Sequence, residues 1–223
     1  MDTTEIRDYR GPFTEETFEE LGTFFTNLPE KVRLVVHASV QNSCTEENTV
    51  ELCQTLADRF EMIECRNRPR VADFPWHPII AINGVDEKGK DIDYRIRFFG
   101  HPAWFQINSL IGAIQAVALR GMTLSAKTRI QLSKLQKEVR IETFTTPENE
   151  SGVPMATLGC NLAVLNRNVR MFVCMINDFP DLAPQYSIYS VPHTIINQKH
   201  HLQGVYNEEK FLKAMAAAVK NSA

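Results

Sequence analysis

The sequence predicts an α/β fold in which one structural unit occurs twice. Three observations carry this reading. The segment Pro192-His-Thr-Ile-Ile-Asn197 repeats the wording of Pro78-Ile-Ile-Ala-Ile-Asn83. In both, a proline stands in front of a β-branched run, and because proline cannot donate to a sheet ladder it marks a strand start, an edge or a bulge. The residues after each proline also match. After Pro78 come a strand, the turn Asp86-Glu-Lys-Gly-Lys-Asp91, a second strand over 93–99, then Gly100 and a helix. After Pro192 come a strand, the turn Gln198-Lys-His-His201, a short strand Leu202-Gln203, then Gly204 and a helix. The residues before each proline match as well: strand-like stretches at 32–38 and 139–145 each lead into a polar loop and an apolar helix. The spacing is 45 residues from Arg33 to Pro78 and 52 from Arg140 to Pro192.

Each element has a local reason. Thr14 caps a first helix over 14–28, with Phe18, Leu21, Phe25 and Leu28 on one stripe and Pro29 beyond its end. The strand Arg33-Leu-Val-Val-His-Ala38 is almost wholly apolar, as a central strand should be. Ser43-Cys-Thr-Glu46 reads as a capping box opening a helix to Phe60. A second strand over 61–65 ends in the polar connector Arg66-Asn-Arg-Pro-Arg70. The helix from Pro102 or Ala103 to Leu119 is apolar on several sides and needs cover, which an interface between two units supplies. Gly121 closes it, and a connecting helix over 124–135 comes next. Pro154 suits the first position of the next helix. A strand over 169–176, the proline turn, the hairpin and a last helix over 208–219 complete the chain. The boundary between units falls at 121/122, with the extra N-terminal helix counted in the first.

Composition narrows the functional classes. The chain has 223 residues, enough for two units of ordinary domain size, and a net charge of −3. That charge gives no polyanion-binding footprint, so nucleic acid is not an expected partner. No apolar run reaches membrane-spanning length and the first residues lack a signal-peptide core, so neither membrane nor export is expected. The five cysteines form no closely spaced pair, which suits a reducing, cytoplasmic compartment better than a disulfide framework.

With these elements in place, the chain resembles the tandem-thioredoxin, glutaredoxin-like protein disulfide oxidoreductases, and also the N-terminal domain of the flavoprotein subunit of alkyl hydroperoxide reductase. The likeness rests on Tyr94-Arg-Ile-Arg-Phe-Phe-Gly-His-Pro102, Phe144-Thr-Thr-Pro147, the run from Phe179 through Tyr189-Ser-Val-Pro192, and Gly204-Val-Tyr-Asn-Glu-Glu-Lys-Phe211. It implies two thioredoxin-like units, each a mixed sheet flanked by helices, with the sheets side by side. It also implies cis peptide bonds at His77–Pro78 and Val191–Pro192. In the family, the residue before that proline offers its backbone to an extended peptide; here this implies a peptide-binding role for His77, Pro78, Val191 and Pro192.

The departure from the family is equally informative. Redox members carry Cys-x-x-Cys at a helix start, where the helix terminus lowers the first thiol's pKa and the second cysteine resolves the mixed disulfide. The second unit reads Thr146-Pro-Glu-Asn-Glu-Ser-Gly-Val-Pro154, so its motif window holds Asn149, Glu150, Ser151 and Gly152, or lies one residue later if Pro154 is the anchor. The first reads Val40-Gln-Asn-Ser-Cys-Thr-Glu-Glu47, with Cys44 alone, and an ungapped overlay of the halves sets Asn42 opposite Asn149. Cys44 is therefore the one candidate nucleophile, opposed by Glu46 and Glu47 in the same turn. Cys53, Cys65, Cys160 and Cys174 read as small buried hydrophobes. A Cys44–Cys53 disulfide would have to bridge about 13 Å along a helix. His200 and His201 read as solvated turn residues without ligand spacing for a metal. His77 and His193 flank the prolines in structural or surface roles, and Trp76 and Trp104 read as core or inter-unit packing. No phosphate loop, triad or nucleotide fingerprint is present, and no cofactor is expected.

These residues leave two main functions open, beside the plainer one of a subunit that assembles with a redox partner encoded elsewhere. One is a redox-inactive module that binds a peptide or protein, adaptor- or chaperone-like. The other is a monothiol, glutathione- or thiol-dependent oxidoreductase acting through Cys44. A protein or peptide partner is expected, and a second copy of the chain is one candidate.

Overall fold

A computed structural model describes residues 13–39 and 43–220. The chain forms α1 (Glu15–Phe25), β1 (Val32–His37), α2 (Cys44–Arg59), β2 (Ile63–Arg68), β3 (Ile79–Val85), β4 (Asp91–Phe99), α3 (Gln106–Ala118) and α4 (Ala126–Ser133). It continues through β5 (Val139–Thr145), α5 (Gly152–Leu165), β6 (Val169–Met175), α6 (Leu182–Gln185), β7 (His193–Ile196), β8 (His200–Gln203) and α7 (Glu208–Lys220). All eight strands lie in one sheet of order β2-β1-β3-β4-β6-β5-β7-β8. The two halves repeat one order, and they fuse where β4 runs parallel to β6, from Ile96 opposite Met171 to Phe99 opposite Cys174.

Six strands, β1, β2, β4, β5, β6 and β8, run in one direction, because β1 pairs parallel with β2, β4 with β6 and β5 with β6, β3 lies antiparallel to both β1 and β4, and β7 lies antiparallel to both β5 and β8. Their C-terminal ends therefore share one rim with the start of β3 and, in the other half, of β7. The sheet's two faces are covered unequally. The larger core gathers Leu34, Val36, Ile80, Phe98, Ile141 and Val173 under the main helices. The opposite face buries Ile79, Phe99, Phe144, Phe172 and Ile195 beneath α6 and the segment carrying Phe74 and Trp76.

Local chemistry moved several expected boundaries. Thr14 caps α1 as expected, its hydroxyl accepting from Thr17 N–H. Ser43 makes no side-chain cap, so the capping box does not form. Its intended partner Glu46 is buried instead, accepting from Ser39 N–H at 2.5 Å and from Arg70 Nε at 3.0 Å. β2 runs on through Arg66-Asn-Arg68 rather than ending at Cys65, because its parallel ladder with β1 extends to Arg68 opposite His37. Pro154 is the third residue of α5, not its first, since the helix opens at Gly152. His200 and His201 lie in β8 rather than in the turn. Two charged side chains are buried in the sheet, Glu142 on β5 beside Arg140 and Arg33 on β1; Arg33, 2% exposed, bonds Glu64 of β2 at 2.8 Å, contacts Asp91 at the start of β4 and reaches Gly89 O in the turn before it, so its burial is matched by partners.

The central helices α3 and α5, one from each half, meet across Gly112 and Thr157. An added Cβ at Gly112 would stand 3.3 Å from Thr157 Cβ. Gly112→Leu should therefore destabilise the chain by about 1–3 kcal/mol through overpacking, read as a lower urea midpoint; an unchanged midpoint would show the helix pair to be slack.

Candidate functional site

The site residues expected from the sequence all lie on the common rim. Cys44 is the first residue of α2 and is exposed, whereas Cys53, Cys160 and Cys174 are buried. Cys65 departs from the expectation of full burial: it is half-buried on the edge strand β2, and burial pushes its thiol up to about 11. Burial also raises Cys53, Cys160 and Cys174. Asn42 lies outside the described residues. The peptide bonds His77–Pro78 and Val191–Pro192 are cis.

In the second half the motif window is filled rather than vacant. Asn149 Nδ2 donates to Val191 O at 3.1 Å, so a side chain of the chain itself occupies the carbonyl in front of the proline. The Asn149 carbonyl accepts from Gln106 Nε2 at 2.6 Å, and Ser109 Oγ donates to Gln106 Oε1 at 2.6 Å. Phe105 N–H donates to Pro147 O at 3.1 Å. Helix α3 of the first half thus grips the motif loop of the second. At Gly152 an added Cβ would lie 2.9 Å from Thr145 Cβ and 3.0 Å from Gln106 Nε2. A side chain does not fit there. Glu150 and Ser151 are on the loop between, and Ser151 is exposed.

In the first half the surroundings are ionic. Glu46 pairs with Arg70; burial alone would raise the carboxyl, but the Arg70 and Ser39 hydrogen bonds and nearby charge hold it below the usual carboxylate range. His77 Nε2 accepts from Val71 N–H at 3.2 Å, which pins the segment in front of Pro78. Of the structural and surface roles open to His193, it takes the structural one: it is 1% exposed and its Nε2 lies 2.9 Å from His201 Nδ1. Trp76 packs edge-on against Phe99, but Trp104, expected in the core or between units, is 72% exposed with φ +52°.

Several participants escaped the sequence reading. Gln106 and Asp178 carry no motif. Asp178 Oδ2 accepts from His101 N–H at 2.7 Å, and burial raises its carboxyl, partly offset by that bond. The approach requires Gly100, at φ +86°, where a Cβ would stand 2.8 Å from Met175 Cβ. His101 Nδ1 lies 3.1 Å from Thr49 Oγ1. The Gly100-His-Pro102 string was visible, but nothing in it marked the histidine.

No protein-family model matches the sequence, and no curated protein does. Solved structures match the fold over nearly the whole chain. The alkylhydroperoxide reductase protein AhpF from Enterococcus faecalis, in a mutant form, aligns at 21% identity with a TM-score of 0.83, covering 92% of this chain and 99% of that one. The NTD_N/C domain of the same reductase gives 21% and 0.82, covering 91% and 99%. A protein disulfide oxidoreductase from Aeropyrum pernix gives 22% and 0.80, covering 93% and 94%. The fold is therefore the tandem thioredoxin-like fold.

This geometry yields two predictions. His77, His101 and His193 all titrate below the usual imidazole range, with burial the largest cause in each. Each binds fewer protons folded than unfolded, so stability is full above the unfolded value of about 6.5 and is lost as pH falls from there through the folded values. Denaturant midpoints from pH 7.5 to 5 should fall, with a shallower slope in His77→Gln and His101→Gln; a flat profile would contradict the assignment. The double variant N149C/G152C should not gain insulin-reducing activity, and Gly152→Cys alone should cost about 1–3 kcal/mol of stability by overpacking, measured by chemical denaturation.

Proposed function

We propose that this chain is a redox-inactive, thioredoxin-like module that binds extended segments of a partner protein through the proline edge of its first half. The observation that carries the reading is the state of the second edge, where Asn149 Nδ2 already occupies the Val191 carbonyl. Strand addition needs only backbone donors and acceptors beside pockets for alternate side chains, so it does not depend on a thiol. A dithiol cycle has no support in the second half, where Gly152 has no room for sulfur. On this reading His77 and Pro78 receive the peptide, and Val191 and Pro192 are held closed.

A second reading keeps Cys44 as a monothiol nucleophile, favoured by its exposure at the first turn of α2. Site-resolved alkylation separates the two: modification of Cys44 with a midpoint well below about 8.5 supports the enzyme, and loss of turnover in Cys44→Ser would confirm it.

The binding reading is tested by titrating reduced, carboxymethylated α-lactalbumin, an unfolded chain, into isotope-labelled protein and following backbone amides by NMR. Shifts should cluster at Trp76, His77 and Ile79 and persist in Cys44→Ser, and Asn149→Ala should add a second cluster around Val191. Shifts absent from the His77 edge would sink the proposal.

A further inference from the structure

A groove of about 710 Å³ lies between α4 and α7, and none of its lining residues belongs to the proline rim. Helix α7 shows why it is there. Phe211 and Ala218 are fully buried in the core, as one apolar face of a helix should be. A second stripe, Leu212, Met215, Ala216 and Val219, follows the same helical spacing and lines the groove instead. Ala216 is exposed and Val219 half-buried, as is Leu135 on the facing side, so this stripe leaves apolar surface in water. The groove is held at both ends. Glu208 accepts from Ser125 Oγ at 2.6 Å and from Thr128 Oγ1, tying the start of α7 to the start of α4. Asn166, which follows α5, donates through Nδ2 to Leu132 O at 2.7 Å and to Leu135 O at 3.2 Å, pinning the end of α4. A groove fixed in this way is preformed, and a ligand need not pay to shape it.

The charged lining selects the occupant. Lys127 and Lys134 stand seven residues apart on α4 and its C-cap, Lys213 and Lys220 seven apart on α7, and all four line the groove. Seven residues are two helical turns, about 10.5 Å at the rise of an α-helix. Two glutamates also line it. Glu208 is engaged by the α4 hydroxyls, and Glu209 lies 3.7 Å from Lys127 Nζ and 3.3 Å from Lys213 Nζ. Those two pairs are exposed, and exposed ion pairs contribute little, so an incoming carboxylate can exchange with them. The residues that follow Lys220, Asn221-Ser222-Ala223, carry no side-chain charge to offset the lysines. A single anionic head group cannot meet lysines two turns apart on two helices. An α-helix can, when acidic residues recur every seven positions on both flanks of its apolar stripe.

We propose that the groove between α4 and α7 receives an acidic amphipathic helix of a partner protein, its apolar stripe on Leu135, Met215 and Val219 and its carboxylates toward the four lysines. This surface is separate from the proline edges, and its failure would leave the peptide-binding reading untouched.

The test is a fluorescence-anisotropy titration of the full chain into a rhodamine-labelled three-heptad peptide with Leu at positions a and d, Glu at e and g, and Ala or Gln elsewhere. The control is the same peptide with Lys in place of Glu. The acidic peptide should bind saturably, one per chain, and more weakly as salt is raised from about 50 to about 500 mM. Ala216→Glu, which puts a carboxylate on the groove floor, and the double variant K134E/K220E should each weaken it about tenfold, the effect expected at the centre of a binding site. All three positions are exposed, and circular dichroism confirms that the variants fold. Absence of saturable binding, equal binding of the lysine peptide, or indifference to both variants overturns the proposal. Laurate bound in place of the peptide and lost in Ala216→Glu would make the groove a fatty-acid site. A dimer in light scattering that Ala216→Glu dissociates would assign it to a second copy of the chain. Either result equally overturns the proposal.

Discussion

The parallel pairing of β4 with β6 is the constraint on which the rest depends. Only four residue pairs make it, Ile96–Met171 to Phe99–Cys174, yet it turns two four-stranded sheets into one. Backbone groups buried at a sheet centre must be paired, so the junction cannot slip without orphaning them. Because β4 ends beside β6, Gly100 comes against Asp178, and the chain leaving β4 is aimed across the second half. That is why His101, Phe105 and Gln106 reach residues more than forty positions away.

The same geometry fixes the loop before α5. In a redox member of this fold, the loop before the second helix must leave its sulfurs free to react. Here Asn149 is bonded through its side-chain nitrogen to Val191 and through its carbonyl to Gln106, and Gly152 is walled in by Thr145. The loop is thereby a strut between the halves, fixed at Asn149 and Gly152 while Glu148, Glu150 and Ser151 face solvent.

The fold was legible because its signals are local and periodic: apolar strands, capped helices and a repeated proline hairpin. Asn149 and Gly152 could be located because Pro147 and Pro154 bracket them. The parts that could not be read depend on pairing between distant residues. Glu46 looked like a capping partner because Ser43 stands three residues before it, but Arg70 competes for it from beyond β2 and wins as a charge-assisted bond. Trp104 looked like core because large aromatics are mostly buried. Its exposure comes from the turn after Pro102, which no residue preference announces. His193 was left between a structural and a surface role, and the β7–β8 ladder decides it by setting it opposite Gln203 and near His201.

The strand order also carries an implication for assembly. Each half presents its second strand on one side and its fourth on the other, and the halves join fourth to second. The whole sheet therefore ends in a second strand, β2, and a fourth strand, β8. These ends are complementary in kind, and repetition of the same joint from molecule to molecule would be heterologous and would never close. The opposition to such a filament is written on the margins. β2 finishes in the exposed Arg66, Asn67 and Arg68, and β8 is four residues long with His201 and Gln203 facing water. Charge at one margin and brevity at the other oppose an open-ended polymer.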